Sequence, residues 1–161
     1  MKSQVDKPNA GQYLSFQMKG QTYGFPISAV QEINRMAEIT PVPQTHKSVL
    51  GVMNLRGKVI PVIDLSLQLG MGQVENTKNT CIIVTESPQG PIGVVVDIVK
   101  SVMDIHGDNI ETPPVISQYG ESDYVMGLAK VDSLVIILVD IVKILSQESL
   151  TDVLTRSKGA A

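Results

Sequence analysis

Apolar residues along this chain come in short runs rather than in long helical stripes. The runs are QYLSFQM (12–18), QTYGFP (21–26), GVMNL (51–55), KVIPVI (58–63), NTCIIVTE (79–86), PIGVVVD (91–97), SVMDI (101–105), YVMGLAKV (124–131) and SLVIILV (133–139). Most are rich in β-branched or aromatic residues and bounded by Gly, Pro, Asn or Asp. Many short strands separated by turn signals predict a barrel or a sandwich.

Short helices are expected between the strands. SAVQEI (28–33) opens on Ser28 with Gln31 at capping-box spacing. DLSLQLG (64–70) and DIVKILS (140–146) each start on an Asp suited to an N-cap, and Gly70 supplies a stop for the first. Near the end, Ser149 and Asp152 have capping-box spacing, and Leu150, Val153 and Leu154 share a face, which predicts a C-terminal helix.

The pattern also repeats. YGFPISAVQEI (23–33) is similar to IGVVVDIVKSV (92–102), with Gly24 matching Gly93, Val30 matching Val99 and Ile33 matching Val102. VMNL (52–55) matches VMGL (125–128), and PVIDL matches ILVDI, each a strand running into an Asp-capped helix. Any one pair is explained by chance among Val/Ile-rich strands. Three pairs in the same order point to a duplicated β-unit.

Composition narrows the functional classes. The chain has 161 residues, 43% of them hydrophobic, which suffices for one folded domain or two small ones sharing a core. A formal charge of −3, with no Lys/Arg run, argues against nucleic acid as a partner. Four Tyr, two Phe and no Trp, scattered along the chain, leave few stacking surfaces for a barrel that binds a metabolite or oligonucleotide. Cys81 is the only cysteine, so no intrachain disulfide is expected, and a free thiol fits a reducing compartment. The polar start of the sequence and its short apolar runs lead us to expect no signal peptide and no transmembrane helix, and a cytoplasmic location is expected.

Catalysis finds no support. His46 and His106 lack neighbouring metal-type ligands at a recognisable spacing, so they are expected in surface loops and no metal or cofactor is expected. GVMNLRGK fails as a phosphate loop because five residues separate its glycines and Val59 follows Lys58. Asp64 and Asp140 are explained as helix caps, and Asp97 as the cap of a helix or turn. No nucleophile motif of the G-x-S-x-G kind occurs. A non-enzymatic protein is expected, with no catalytic residue.

Arg56 stands out in GVMNLRGKVIPVIDL (51–65), a charge between two apolar runs. Asn54 and Gly57 flank an expected hairpin turn, and Gly57 permits positive φ there. Three roles for Arg56 remain open: a surface residue whose stem covers apolar neighbours, an internal ion pair with Glu32, or an anchor for a partner.

YGFPISAVQEI, GVMNLRGKVIPVIDL and GVVVDIVKSVM together resemble the CheW family of bacterial chemotaxis coupling proteins, over about Gln12 to Leu145. The most specific piece is N-L-R-G-x-x-x-P-x-x-D-L, met by Asn54, Leu55, Arg56, Gly57, Pro61, Asp64 and Leu65. Val30, Glu32 and Ile33 match a short V-x-E-I helix of the family. The resemblance implies a mainly β fold: two intertwined five-stranded SH3-like barrels related by pseudo-duplication, with short helices and a C-terminal helix. It places one CheW-like domain at 12–148, with subdomains at about 20–80 and 81–148 and a strand exchange involving 12–19; the polar, aperiodic ends at 1–11 and 156–161 are expected to be flexible tails.

The same resemblance implies a scaffold that links methyl-accepting chemoreceptor cytoplasmic tips to the regulatory domain of the histidine kinase CheA. It would be cytoplasmic, recruited to receptor arrays, and monomeric alone. An adaptor of a sister pathway, such as twitching motility, would share the fold. Val30, Glu32 and Arg56 match receptor-binding positions in a groove between the barrels; Asn54 and Gly57 would shape its wall, and Cys81 aligns with an aliphatic groove position. Gly93 and Val94 resemble a region used against the kinase, and the segment carrying Glu111, Val115 and Ile116 a loop that meets a neighbouring array member. Glu111 and Val115 stand where the enteric type carries Arg and Glu, which alters the charge pairing of that contact.

Overall fold

The computed structural model describes residues 10–43, 47–111 and 124–145. Within them run β1 (Gly11–Met18), β2 (Gln21–Pro26), β3 (Val30–Arg35), β4 (Val49–Leu55), β5 (Lys58–Asp64), α1 (Leu65–Gln68), β6 (Cys81–Ser87), β7 (Gly90–Val96), β8 (Ile98–Ile105), β9 (Ile110–Glu111), β10 (Val125–Val131), β11 (Leu134–Val139) and α2 (Ile141–Leu145). The nine expected strands are all present. With β3 and β9 they form two SH3-like barrels from two sheets, one ordered β8-β1-β2-β11-β10-β9 and the other β3-β6-β7-β5-β4.

The two orders are the same path walked twice. β1, β2, β3, β4 and β5 take the places that β6, β7, β8, β10 and β11 take in the other sheet. In both, the chain crosses sheets after the second strand, so each half lends its first hairpin to the other barrel. Gly24 faces Leu138 across the parallel β2–β11 pair as Gly93 faces Val62 across β7–β5. A Cβ on Gly93 would lie 2.9 Å from Ile82 Cγ2, which is why that matched position carries no side chain. The lent element is therefore the whole hairpin from Gly11 to Pro26. The chain changes sheet after β2 and after β7, and Gly11 is paired with Ile105.

One sequence match falls out of register. The turn residues Arg56 and Asp132 both have positive φ, 52° and 57°, and Gly51 and Gly127 both follow a bulge, opposite Val62 and Leu138. Gly51 thus corresponds to Gly127, and VMNL corresponds to 128–131 rather than to VMGL. The shared Val-Met is coincidence.

A second correction concerns 28–33, where the expected helix does not form. Ile27–Ala29 make a single 3-10 turn and β3 begins at Val30. Burial alternates strictly along β3, the period of a strand and not of a helix. The capping-box spacing is overridden because β3 pairs along most of its length with β6, a strand about 50 residues away.

The core has three parts. Leu14, Phe16, Met18, Tyr23 and Phe25 of the lent hairpin fill the space between the barrels together with Ile83, Val94, Val96, Ile141 and Leu145. Phe16 is its centre, stacked on Tyr23 at 5.9 Å and tilted against Phe25 at 4.7 Å. Each such fully buried side chain contributes about 1.5–3 kcal/mol, so the exchange is favoured by a row of them. The first barrel encloses Met53, Ile60, Val62, Ile82, Val84 and Val95; the second encloses Tyr13, Ile105, Ala129, Ile136 and Leu138. Val52, next to the buried Met53, points the opposite way along the strand and is only half-buried.

The acidic caps are where the sequence places them. Asp64 Oδ1 accepts from Leu67 N, and Gly70, at φ 78°, ends that turn. Asp140 Oδ1 accepts from Val142 N and Lys143 N. Asp97 caps a turn belonging to another element, its Oδ2 accepting from Lys19 N at 2.8 Å. His106 lies in an exposed connection. His46 and the expected C-terminal helix lie outside the described residues.

Asp64 and Asp140 are equivalents in different surroundings, and their replacement separates the two. Asp64 is 1% exposed, and its Oδ2 also accepts from Val74 N at 2.9 Å. Asp64→Ala leaves two backbone donors without that carboxylate and is expected to cost about 2–4 kcal/mol. Asp140→Ala removes a cap in contact with water and should cost about 1 kcal/mol. Urea midpoints of the two variants measure the difference.

Candidate partner-binding site

The β4–β5 hairpin has a two-residue turn, Arg56-Gly57, with φ 52° and 84°, the pattern of a type I′ turn. Asn54 Oδ1 accepts from Gly57 N at 2.8 Å and pins it. Gly57 suits such backbone; Arg56 adopts it against a steric preference. The turn throws the guanidinium across to β3, where Nη1 donates to Glu32 Oε2 at 2.6 Å and Nη2 to Oε1 at 2.8 Å. Of the roles open for Arg56, the ion pair with Glu32 is present.

β3 and β4 are the outer strands of their sheet, so this pair bridges the barrel's two edges. The partners are unequal: the Arg56 side chain is 74% exposed and that of Glu32 20%. The Arg56 hydrogen bond, and its charge, hold the Glu32 carboxyl below the usual carboxylate range, with Asn34 a smaller influence in the same direction. A folded pKa below the unfolded one means that the pair's contribution is complete above the unfolded value and is lost as pH falls through the folded one. In an NMR titration, Glu32 is expected to ionise below its ordinary value of 4.5, and Arg56→Ala to raise that midpoint.

Exposed pairs of this kind contribute little to stability and are screened by salt. The barrel is closed by other means: Thr40 and Val52 exchange backbone hydrogen bonds of 2.8 and 2.9 Å beside the pair. The second barrel, which is closed in the same way by β9 on β10, has Ser101 and Asp132 at the equivalent positions. The Glu32–Arg56 pair is a property of the first barrel alone.

A bulge distributes the other candidates. Val30 pairs with Thr85 and Glu32 with Val84, so Gln31 is the extra residue. Two residues apart on a regular strand would share a face; the bulge sends Val30 against the inter-barrel core and Glu32 to the barrel rim. Cys81 pairs with Arg35 and also packs on the inter-barrel core. The receptor-type residues therefore form two groups along the β3 edge. Glu32, Asn54, Arg56 and Gly57 are at the rim, and Val30 and Cys81 lie on the inter-barrel face.

Two neighbours belong with them: Asn34, not singled out from sequence, and Ile33, matched there only in the repeat and as part of the family's short helix. Ile33, opposite Ile83, is a large apolar side chain 43% exposed on the inter-barrel face. Asn34 is on the rim face beside Glu32. Reading 28–33 as a helix hid both, since only a strand's alternation assigns them to faces.

The kinase-type residues among the described ones are not gathered. Gly93 and Val94 are buried in β7, the middle strand of the first barrel's sheet, and offer no side-chain surface. Glu111 sits on β9 at the edge of the other sheet, its Oε2 accepting from Lys130 Nζ at 2.9 Å. Val115 and Ile116 lie outside the described residues.

Among the described residues no three His, Cys, Asp or Glu side chains gather to hold a metal ion. An open polar hollow of about 350 Å³ lies between Lys19, Glu75, Thr77, Asn79, Asp97 and Ile98. Its best donors are committed, since Lys19 N donates to Asp97 and Lys19 Nζ to the Gln73 carbonyl. No helix among the described residues is long and apolar enough to cross a membrane.

The family model of the CheW-like domain matches residues 12–149. The chain belongs to the CheW-like family. The chemotaxis protein CheW of Klebsiella aerogenes is 34% identical over 139 residues, 86% of this chain and 84% of that one. The CheW of Thermotoga maritima is 33% identical over 147 residues, 91% and 95% of the two chains. Protein FrzA of Myxococcus xanthus is 31% identical over 103 residues, 64% of each. Among solved structures, the scaffolding protein TtCheW from Thermoanaerobacter tengcongensis matches with a TM-score of 0.79 and 32% identity, over 87% of this chain and 95% of that one. A CheW-like chain is thus a chemotaxis adaptor of scaffold type.

Proposed function

We propose that this CheW-like protein is a non-enzymatic cytoplasmic scaffold that couples chemoreceptor cytoplasmic tips to the histidine kinase CheA. One observation carries the reading at the residue level: the Glu32–Arg56 pair is built into one barrel and absent from its structural twin. A feature required by the fold would recur in both. The receptor helix lies along the β3 edge, with Val30, Ile33 and Cys81 offering apolar surface and Glu32 and Arg56 fixing its register by charge. Asn54 and Gly57 hold the turn that presents Arg56. Gly93 and Val94 act on the kinase only by shaping the first barrel, and Glu111 lies at a separate contact.

The test is CheA autophosphorylation in receptor-containing membranes from the same source, with and without the protein. Added protein should bring the kinase under control of receptor ligand. Kinase binding without such control would favour the second reading, an adaptor of a sister pathway, to which the likeness to a relative of another name, FrzA, lends support. Failure to engage either partner would overturn the coupling role.

A further inference from the structure

Asn34 lies opposite Ile82 on β3, two residues beyond Glu32 and on the same face. Its Nδ2 is buried and completes no hydrogen bond. A buried amide donor without an acceptor is unfavourable, and such orphans are rare in native proteins. The acceptor beside it is the Glu32 carboxylate, but both oxygens of that group are turned to Arg56. The carboxamide is nonetheless near enough to the carboxylate to help keep Glu32 ionised.

The two members of the ion pair are unlike in freedom. Arg56 stands on an exposed turn, and its long side chain can swing away. Glu32, mostly covered and on a paired strand, cannot follow. We propose that Asn34 is a positioning residue that takes over the Glu32 carboxylate when Arg56 swings out to an acidic group on a partner. Breaking an ion pair ordinarily strands the carboxylate. Here a waiting donor receives it, so releasing Arg56 costs less and the orphan amide is satisfied in the same movement. The inference rests on the scaffold reading only for what draws Arg56 away.

The handover is tested first without any partner, on the full chain labelled with ¹⁵N. In Arg56→Ala one Asn34 carboxamide proton should shift downfield and exchange more slowly with solvent, as it gains a charged acceptor. The change should be absent in Arg56→Ala/Glu32→Met. An Asn34 resonance identical in wild type and Arg56→Ala would overturn the proposal. The second arm uses receptor cytoplasmic fragments. Asn34→Leu should weaken their binding about fivefold when Arg56 is present and leave it unchanged in the Arg56→Ala background. Equal losses in both backgrounds would reduce Asn34 to a structural residue and sink the idea. If wild type itself ignores the fragments, the scaffold reading fails, while the amide shift still decides the handover.

Discussion

Gly51→Ala is expected to remove a large part of the protein's folding stability. A Cβ at this position would lie 2.0 Å from the Thr40 carbonyl oxygen, 2.7 Å from its carbon and 2.9 Å from Pro41 Cα, with φ at 147°. All three atoms are backbone, so no side chain can rotate away. Relief requires pulling the strand-like segment at Thr40 off β4, which breaks both Thr40–Val52 hydrogen bonds and uncovers Met36 and Ile39 on the first barrel's core. Overpacking strain of about 1–3 kcal/mol, two hydrogen bonds at about 1 kcal/mol each and the exposed apolar surface add to about 4–6 kcal/mol. Small domains have about 5–15 kcal/mol in all. Urea unfolding measures the loss, and Gly57→Ala is the control. Its new Cβ meets nothing within 4 Å, although φ is 84°, so it should cost about 1 kcal/mol. A Gly51→Ala midpoint equal to that of the control would show that the Thr40 pairing does not close the barrel.

Much of this architecture is legible in the sequence because strands announce themselves locally. Runs such as KVIPVI and LVIILV have β-branched residues and turn residues at both ends, and Asp64 and Asp140 satisfy their helices within three residues. Pairing is another matter. β3 was hidden because VQEINR has no dominant apolar run; what makes it a strand is β6. β9, two residues long, and the Thr40 bridge exist only because β10 and β4 present free edges. The repeat was readable through Gly24 and Gly93, where close packing dictates the residue, and misleading at VMGL, where nothing does.

The candidate site shows the same division. Glu32 and Arg56 could be paired from sequence since both carry charge and family likeness. The bulge at Gln31 could not, because its cause is a register between strands and it changes which face Val30 occupies. With Val30 and Glu32 on one face, the site would be a single patch. With the bulge, a partner must straddle the edge of β3 to touch apolar and charged groups together, a demand that a helix lying along the edge meets.

Arg56→Glu should leave the fold intact and abolish receptor control of the kinase. Asp132, at the equivalent turn of the second barrel and with nearly the same φ, shows that an acidic residue is compatible with this backbone. The lost ion pair is exposed, so the unfolding midpoint should hardly move. Binding is different, because a partner's acidic group that met a guanidinium would now meet a carboxylate, beside the carboxylate of Glu32. Truncating one member of a hydrogen-bonded charge pair that becomes buried in an interface commonly weakens binding at least about thirtyfold, and reversal adds repulsion. The double variant Glu32→Arg/Arg56→Glu separates bracing from contact. It restores an ion pair across the barrel edge while leaving the wrong sign at the turn. Restored coupling in the double variant would mean that Arg56 serves only to hold β3 against β4. Coupling lost in both, with folding unchanged, would mean that the arginine itself meets the partner.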